Sequence, residues 1–482
     1  MESEEGICAY IKEWSQRGSV KLSSMLTSAE GNPHPHRFAC FRLKSLVQKF
    51  YEGRRDISWM IIPGARGTGK TTMLAQLREY LISEGRIPQE DVLYFALDHA
   101  KEFTGASLKD LLIAIQKEYG NFSERKTPFV LMIDEVHVDD SWMAQLKGVY
   151  EFSENVLIIC TGSSAISLQV NPDITRRVHI EQMVPMGLSE YRMLKEQKWP
   201  IKGLKNEIED ALYLSSSATE CYTKLLGYKE KVSEYFEDFS EEDIKQYIFR
   251  GTLPFTILFD SNNEVFRRVS RTLEQIVNKD LPKYDNFSSK SLQSAIRMLL
   301  LVANSQGVIS LNKISDTTGI SAPIVSKIFE AFILADILLP VKPQVGSATG
   351  SLRKITRYHF YSPAYRAALL SIAGLLQPEA IGILLEDVCA LYLHKAIKVK
   401  PNPRLLDFGY DTREEMPDFC ILTEKGIIPL EASWGTSKDE RQVRKILDEG
   451  KSPYGLVVSK KPLAINIEKD VVYVPIDMFL MS

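Results

Sequence analysis

Residues 57–72 constrain the fold of this chain more than any other segment. They read ISWMIIPGARGTGKTT. The apolar run from Trp59 to Ile62 predicts a buried parallel strand, and the G-x-x-x-x-G-K-T segment behind it leads into a helical pattern. Glycines let backbone N–H groups converge on phosphate oxygens, and the N-terminus of the helix adds the positive end of its dipole. The segment therefore predicts a nucleotide-binding phosphate loop.

The residue types within this loop indicate separate roles. Lys70 is expected to neutralise the β- and γ-phosphates of ATP, and the Thr71 hydroxyl is expected to hold Mg²⁺. The other loop residues are expected to contact the phosphates. The predicted nucleotide-binding residues are Gly64, Ala65, Arg66, Gly67, Thr68, Gly69, Lys70, Thr71 and Thr72.

A second motif ends another apolar run. Residues 129–133 predict a buried strand that is followed by Asp134 and Glu135, about 65 residues after the phosphate loop, a usual separation for these two motifs. An acid at a strand end beside the phosphates can hold the Mg²⁺ shell, and an adjacent carboxylate can orient the attacking water. We assign Asp134 to the metal and Glu135 to the water; a polar strand cap is the alternative.

Further apolar runs complete a sheet. They predict strands over residues 91–97, 156–160 and 178–184. Five strands, with nucleotide motifs after the first and third, predict a doubly wound parallel α/β domain. The fourth strand leads into Thr161-Gly162-Ser163-Ser164, where Ser163 is expected to face the γ-phosphate; a plain Gly-Ser turn is the alternative.

Composition is that of an ordinary globular protein. The 482 residues are 44% hydrophobic and 25% charged, which predicts two to four domains. A net charge of −3 excludes a globally basic chain, so any contact with nucleic acid needs a local patch. Six scattered cysteines without C-x-x-C spacing predict reduced thiols in the cytoplasm. The acidic start MESEEG does not read as a signal peptide, and no apolar run predicts a membrane span.

The order of the motifs resembles the archaeal-type AAA ATPases, a prokaryotic clade within the AAA+ proteins. That order is GARGTGKTT, LMIDE, ICTGSSA and RRVHIEQMVPMGLSEY. Pro185, Glu190 and Tyr191 fall in register with the family signature Pro-Leu-Ser-Phe-x-Glu-Phe, whose middle is degenerate here. The resemblance implies that Arg177 is an arginine finger. It reaches a nucleotide in its own subunit or in a neighbouring subunit of a homo-oligomer, and both arrangements stay open.

The resemblance extends past the ATPase core. It implies a helical lid, in which residues 250–254 match the family's Gly-x-x-Pro element. Residues 290–362 then read as a helix, a helix-turn-helix and a two-stranded wing, the pattern of a winged helix. DNA contact and protein docking are both uses of such a module. The candidate DNA-contacting residues are Lys327, Lys342, Arg353, Lys354 and Arg357.

The last segment resembles the PD-(D/E)xK nuclease fold, which archaeal-type ATPases often carry. Asp418 and Glu431 match the two acids that hold Mg²⁺ in that family. Ser433 stands where the family has a lysine, and Lys438, from beyond the turn, is the candidate replacement for that lysine. We therefore favour a nuclease fold kept for binding or assembly over active cleavage.

Five domains are predicted, with residues 1–40 as a leader. The others are the P-loop ATPase core (41–186), the helical lid (187–288), the winged helix (289–362) and the nuclease-like domain (363–482). Together they predict a cytoplasmic, Mg²⁺-dependent ATPase whose nucleotide state controls a DNA-associated C-terminal half. An ATP-gated DNA nuclease and an NTP-gated signalling scaffold without significant turnover stay open as alternatives. No membrane partner is expected.

Overall fold

The structure is a computed structural model of the chain. It describes residues 4–28, 31–84, 87–163, 172–305, 309–345, 356–399, 402–435 and 440–482. The chain forms two compact units, Met1–Val184 and Pro185–Ser482. The division lies next to the boundary expected between the ATPase core and the lid. The finer domain boundaries within the second unit stay predictions.

The first unit contains a parallel five-stranded sheet, as the apolar runs predicted. Its strands are β1 (Trp59–Pro63), β2 (Val92–Ala96), β3 (Phe129–Asp134), β4 (Val156–Gly162) and β5 (His179–Ile180). The strand order is β2-β3-β4-β1-β5, and all neighbouring pairs are parallel. Every residue of β1 to β4 is buried, because apolar clusters cover both faces.

Seven described helices belong to this unit. They are α1 (Glu4–Ser23), α2 (Phe38–Tyr51), α3 (Lys70–Ser83), α4 (Leu97–Thr104), α5 (Leu108–Tyr119), α6 (Trp142–Phe152) and α7 (Pro172–Thr175). A capping box formed by Ser107 and Asp110 sets the start of α5. The helix α3 follows the phosphate loop directly, as the motif requires.

The fifth strand is shorter than the predicted range 178–184. Beyond β5, the Glu181 N–H still donates to the Ile61 carbonyl (2.9 Å) and the Met183 N–H to the Pro63 carbonyl (2.7 Å). Only alternate residues of an edge strand form hydrogen bonds with its single parallel neighbour. The hydrogen bonding to β1 therefore continues beyond the end of β5. The chain therefore follows β1 as far as the phosphate loop.

The second unit begins with a run of helices. They are α8 (Leu188–Glu196), α9 (Leu204–Leu214), α10 (Ala218–Tyr235), α11 (Glu241–Gln246), α12 (Asn262–Gln275), α13 (Ser289–Ala303), α14 (Leu311–Thr318) and α15 (Ala322–Leu334). The helices α11 and α12 are each followed by a π-helical turn, Tyr247–Gly251 and Ile276–Asp280. A π turn adds one residue per turn and redirects the chain, which the apolar spacing did not reveal.

The elements predicted between residues 290 and 362 are present in order. Gly319, with a φ of 67°, ends α14, and α15 follows at an angle of 112°. The strands β6 (Leu338–Val341) and β8 (Arg357–Phe360) form an antiparallel pair. Arg353 and Lys354 lie outside the described residues. The winged-helix assignment stays a prediction.

A helix that crosses a membrane needs sufficient length and apolar content. Within the described ranges, no single helix meets both requirements. Taken together across their bend, α14 and α15 meet them by length and composition alone.

A seven-stranded mixed sheet forms the last part of the second unit. Its strand order is β13-β14-β12-β11-β10-β9-β7. The strands are β7 (Pro343–Val345), β9 (Leu405–Asp411), β10 (Phe419–Thr423), β11 (Gly426–Ala432), β12 (Gly455–Ser459), β13 (Ala464–Asn466) and β14 (Val471–Pro475). The helices are α16 (Pro363–Ile372), α17 (Ile381–His394), α18 (Arg441–Leu447) and α19 (Ile476–Phe479). The nuclease-like assignment of this region stays a prediction.

A buried ion pair connects four elements of the second unit. Asp387 on α17 accepts hydrogen bonds from Arg366 Nε (2.6 Å) and Nη2 (2.9 Å), and from the Phe360 N–H (3.1 Å). Arg366 Nη1 donates to the Ala303 carbonyl at the end of α13 (2.9 Å). Both charged side chains are fully buried. Burial raises the pKa of Asp387, but the charge of Arg366 and the hydrogen bonds from His359 and Arg366 outweigh it, so the pKa is lowered.

Candidate nucleotide site

The phosphate loop connects β1 to α3 and depends on its glycines. A Cβ added to Gly64 would lie 2.5 Å from the Met183 carbonyl oxygen. Gly69 precedes α3 with a φ of 91°, in the left-handed region that favours glycine. The first glycine is therefore needed for close packing and Gly69 for the turn into the helix.

Lys70 lies against the backbone of this loop. Its side chain is buried, and Nζ donates to the carbonyl oxygens of Gly64 (2.8 Å) and Ala65 (3.2 Å). The Thr68 hydroxyl also donates to the Ala65 carbonyl (2.8 Å). The loop carbonyls thus bind the ammonium group of Lys70, the lysine that the sequence predicted to neutralise the phosphates.

An arginine that the sequence analysis missed anchors the loop. Arg37 directly precedes α2 and is 7% exposed. It donates to the Thr68 carbonyl through Nη1 (2.8 Å) and to the Val184 carbonyl through Nη2 (2.9 Å). The side chain therefore ties the loop to the segment after β5. No motif marks this arginine, because its two acceptors are backbone atoms distant in sequence.

Asp134 is the centre of a hydroxyl cluster at the carboxyl end of β3. The Thr71 hydroxyl donates to Oδ2 (2.8 Å), the Thr161 hydroxyl donates to Oδ1, and the Tyr94 hydroxyl lies 3.5 Å from Oδ2. Burial and then the charge of Glu135 raise the pKa of Asp134, although the two threonine hydroxyls partly oppose them. The structure therefore brings together Thr71 and Asp134, the two predicted Mg²⁺ ligands.

The oxygens of this cluster fit a divalent cation by their chemistry. Carboxylate and hydroxyl oxygens are the hard ligands that Mg²⁺ prefers, and Mg²⁺ commonly uses one or two protein ligands beside phosphate oxygens. The hydrogen bonds to Asp134 come from neutral hydroxyls, and the charge of Lys70 lowers its pKa less than burial and Glu135 raise it.

Glu135 leaves the sheet in a strained conformation. Its φ of 57° lies in the left-handed region, which costs a non-glycine residue roughly 1–2 kcal/mol. The Glu135 N–H donates to the Thr161 hydroxyl (3.2 Å), and a Glu135 carboxylate oxygen lies 3.3 Å from His137 Nδ1. Such strain is concentrated at functional sites. The turn separates the carboxylate of Glu135 from the strand that carries Asp134.

The residue at the end of β4 whose hydroxyl donates to Asp134 is Thr161. Ser163, the residue predicted to face the γ-phosphate, is placed two residues later, and its N–H donates to His137 Nδ1 (3.3 Å). The signal for Thr161 was present in the strand ends. Ile133 pairs with Cys160, so the next residue of β4 lies level with Asp134.

Arg177 lies level with the end of β1 that is opposite to the phosphate loop. Met60 pairs with His179, so residue 177 lies level with the start of β1. The loop follows the other end of this five-residue strand, about 16 Å away at the usual rise per residue. Arg177 Nη2 is 3.2 Å from Glu151 Oε1. The structure does not bring Arg177 to the phosphate loop of its own chain.

The second pair of predicted acids is also brought together. The Asp418 N–H donates to Glu431 Oε2 (3.0 Å), and the Ala432 N–H donates to Asp418 Oδ2 (2.9 Å). Within the described residues, no group of three or more His, Cys, Asp or Glu side chains could hold a metal ion. Lys438 lies outside the described part of the chain. The metal role of this pair stays a prediction.

Two segments of the chain match family models. Residues 57–192 match the AAA domain, and residues 241–375 match a domain of unknown function (DUF8612). An uncharacterized protein of Methanocaldococcus jannaschii is 29% identical over 457 residues, which cover 93% of this chain and 90% of that protein.

Solved structures show more distant similarity. A Walker-type ATPase of Pyrococcus abyssi has 12% identity and a TM-score of 0.38, covering 68% of this chain and 95% of that chain. The ORC2 protein of Aeropyrum pernix, in ADPNP–ADP complexes, has 12% identity and a TM-score of 0.32, covering 72% and 94%. Residues 57–192 are thus similar in sequence to the AAA domain, and they contain the five-stranded parallel sheet with the phosphate loop after its first strand.

Proposed function

We propose that this protein is a Mg²⁺-dependent ATPase of the archaeal AAA type, which binds and hydrolyses ATP. The observation that carries the proposal is the cluster of Thr71, Asp134 and Thr161 beside the loop that holds Lys70. The match of residues 57–192 to the AAA domain supports it. The nucleotide contacts are assigned to residues 64–72, as the motif predicts.

Each residue of the cluster has a role in this proposal. Bound Mg²⁺ would supply positive charge to the phosphate oxygens, and Thr71 and Asp134 would hold it. Lys70 leaves the loop carbonyls and neutralises the β- and γ-phosphates. Glu135 orients the attacking water and polarises it. Ser163, at the end of β4, is proposed to sense the γ-phosphate.

Two variants test hydrolysis. Lys70→Ala should abolish ATP binding, because the loop loses its cation. Glu135→Gln should keep ATP bound but unhydrolysed, because only the water-orienting carboxylate is lost. Phosphate release and binding of a fluorescent ATP analogue measure the two effects, with the exposed Glu90→Gln as the matched control. Wild-type turnover in Glu135→Gln would overturn the assignment. Tight ATP binding without turnover in the wild type would favour the scaffold.

We infer that Arg177 acts on the nucleotide of a neighbouring subunit in a homo-oligomer. Arg177 lies level with the start of β1, and the loop follows the other end of this strand, which supports action in trans. The ion pair with Glu151 would then open in the assembly. Mixing Arg177→Ala with Lys70→Ala subunits should restore part of the activity, and Arg176→Ala serves as the control. A monomeric protein without rescue would contradict this inference.

The C-terminal half is proposed to contact DNA through a winged helix at 289–362, with the lid (187–288) linking it to nucleotide state. Lys342 is exposed, whereas Lys327 is paired with Asp285 (2.6 Å). Lys342→Ala should therefore weaken duplex binding more than Lys327→Ala, and should reduce the salt slope by about 1. Fluorescence anisotropy at several salt concentrations measures this. An unchanged slope would favour a protein-docking role.

The contact between Asp418 and Glu431 favours a second candidate, an ATP-gated DNA nuclease. Cleavage by the wild type should be weak or absent, because Ser433 stands where a lysine would activate the water. Asp418→Ala and Glu431→Ala should each remove residual cleavage, and Ser433→Lys should raise it. A plasmid-cleavage assay with Mg²⁺ tests these effects. Robust cutting that survives Asp418→Ala would exclude these acids as the nuclease site.

A further inference from the structure

A cavity of about 340 Å³ lies in the second unit and shares no residue with the phosphate loop or with the Asp418–Glu431 pair, although its lining includes Lys342, the proposed DNA contact. Its apolar walls include Ile333 at the end of α15, Leu339 on β6 and Phe408 on β9. This volume lies in the range of small-molecule sites, which combine apolar walls with a few polar groups that fix orientation. The cavity therefore has the general composition of a ligand site.

The most informative polar group in this cavity is the hydroxyl of Tyr361. Tyr361 is 2% exposed, and among the described residues its buried hydroxyl has no hydrogen-bond partner. A buried hydroxyl without a partner is costly and therefore uncommon in folded proteins. The Tyr361 ring packs edge-on against His394, with centroids 5.3 Å apart, and both residues line the cavity. A bound ligand would supply the missing partner.

The cavity is lined by charged groups of both signs. Asp336 lines it, and burial together with the charge of Asp336 raises the pKa of Tyr361. Burial and then Lys398 lower the pKa of His394 to about 4, so its imidazole is neutral at pH 7. Lys342 and Lys398 are exposed and also line the cavity, and Lys398 is paired with Asp407 (3.1 Å). Asp336 thus favours hydrogen-bond donors and the exposed lysines favour an anion, although Asp407, which also lines the cavity, partly neutralises Lys398.

We propose that this cavity binds a nucleotide whose base carries an exocyclic amino group, with the phosphate at Lys342 and Lys398. Apolar and aromatic side chains such as Phe408 pack against planar bases, and carboxylates accept hydrogen bonds from their amino groups. Cytosine, adenine and guanine have this group and thymine does not. A free nucleotide and an unpaired base of a strand share this chemistry. The site is separate from the phosphate loop and does not depend on ATP hydrolysis.

Calorimetry with the full-length Lys70→Ala protein tests the proposal, since the phosphate loop then contributes no binding. The probes are dCMP, dAMP, dGMP and dTMP. At least one amino-bearing nucleotide should bind tenfold or more tightly than dTMP. Tyr361→Phe should weaken that binding about tenfold, the effect of losing one good hydrogen bond, without lowering the melting temperature. Asp336→Asn should remove the discrimination, and its backbone is compatible because asparagine tolerates a φ of 53°.

Tyr365→Phe is the matched control. Tyr365 is also fully buried with no hydrogen-bond partner among the described residues, but it does not line the cavity. It should leave nucleotide binding unchanged. Equal affinity for all four nucleotides, or equal effects of Tyr361→Phe and Tyr365→Phe, would overturn the proposal.

Single-stranded oligonucleotides separate the two sources of the ligand. If oligodeoxycytidine binds in a Tyr361-dependent way and dCMP does not, the site takes a base within a strand. If dCMP binds and the oligonucleotide shows no dependence on Tyr361, the site takes the free nucleotide. Binding of both with no dependence on Tyr361 or Asp336 would place them elsewhere and reject the site. If Lys70→Ala still binds ATP, saturating the phosphate loop with a non-hydrolysable analogue replaces that background.

Discussion

Asp134 in the first unit and Asp387 in the second are both buried carboxylates with several hydrogen bonds, but their pKa values are shifted in opposite directions. The hydroxyls of Thr71 and Thr161 hold Asp134, and Glu135 adds a second negative charge nearby, so its pKa is raised. Arg366 holds Asp387 through two hydrogen bonds, and its pKa is lowered. Burial alone therefore does not tell a functional carboxylate from a structural one.

The difference lies in what the partners do to the charge. Neutral hydroxyls orient the carboxylate of Asp134, and the charge of Lys70 does not outweigh burial and Glu135, which suits a group proposed to bind Mg²⁺. The guanidinium of Arg366 neutralises Asp387 and connects it to the end of α13. Removing one partner of such a pair strongly destabilises the folded protein, because the other charge stays buried without a partner.

The largest expected effect is on Arg366. Arg366→Leu should lower the free energy of unfolding by about 3–5 kcal/mol, because Asp387 would be left buried without a cation. Urea denaturation followed by circular dichroism measures it. Arg268→Leu, at an exposed arginine paired with Glu264, should change stability little. The double variant Arg366→Leu/Asp387→Leu should recover part of the loss, and a single-variant loss below about 1 kcal/mol would refute the structural role.

Asp134→Asn should have the opposite profile. ATP hydrolysis should fall by about 10²–10³-fold, the size of losing one charge-stabilising contact in a site. The melting temperature of the nucleotide-free protein should not fall, because the removed charge is one that burial disfavours. Turnover and thermal denaturation measure the two effects, with the exposed Asp140→Asn as the control. Unchanged turnover, or a large loss of stability, would make Asp134 structural like Asp387.

Thr161 and Ser163 differ in how their hydroxyls relate to Asp134. Thr161→Val should lower turnover about tenfold, because Asp134 loses a hydroxyl donor and the Glu135 N–H loses its acceptor. Ser163→Ala should cost less, because the hydrogen bond to His137 comes from its backbone. Steady-state turnover of both variants decides between them. A larger effect at Ser163 would favour a direct contact between its hydroxyl and the γ-phosphate.

The smallest expected effect is the acid dependence of stability. Because the folded pKa of Asp387 is lowered, its contribution is fully present above the ordinary aspartate pKa of about 3.9 and is lost as the pH falls through the lower folded value. The stability difference between the wild type and Asp387→Asn should therefore shrink as the pH falls below about 4. Thermal denaturation at a series of pH values measures it. A difference that stays constant with pH would mean that Asp387 is not ionised in the folded protein.

Local patterns predicted the first unit well. The apolar runs gave β1 to β4 within two residues of their observed ends, and the phosphate loop lies between β1 and α3 as expected. The helix, helix-turn-helix and two strands expected over residues 290–362 of the second unit are also present in order. The π turns at residues 247–251 and 276–280 were not predicted. Strand and helix signals are short-range, so they can be recognised before any packing is known.

Contacts between distant segments were not predictable in the same way. Arg37 binds two carbonyls that no motif marks, and Arg366 pairs with Asp387 across 21 positions of the chain. Thr161 was within reach of inference, since the end of β4 could have been aligned with the end of β3. Ser163 was predicted instead, from the polar segment that follows the fourth strand.

The amino-acid sequence alone specifies the phosphate loop and the two acids at the end of β3, Asp134 and Glu135. Both motifs are encoded in a few adjacent residues whose backbone conformations are restricted. Packing decides which hydroxyl reaches Asp134, where Arg177 lies relative to the loop, and that Tyr361 and His394 share one cavity. These relations depend on strand register and on the burial of side chains from separate elements. They exist only once the strands have aligned and the apolar faces have closed over them.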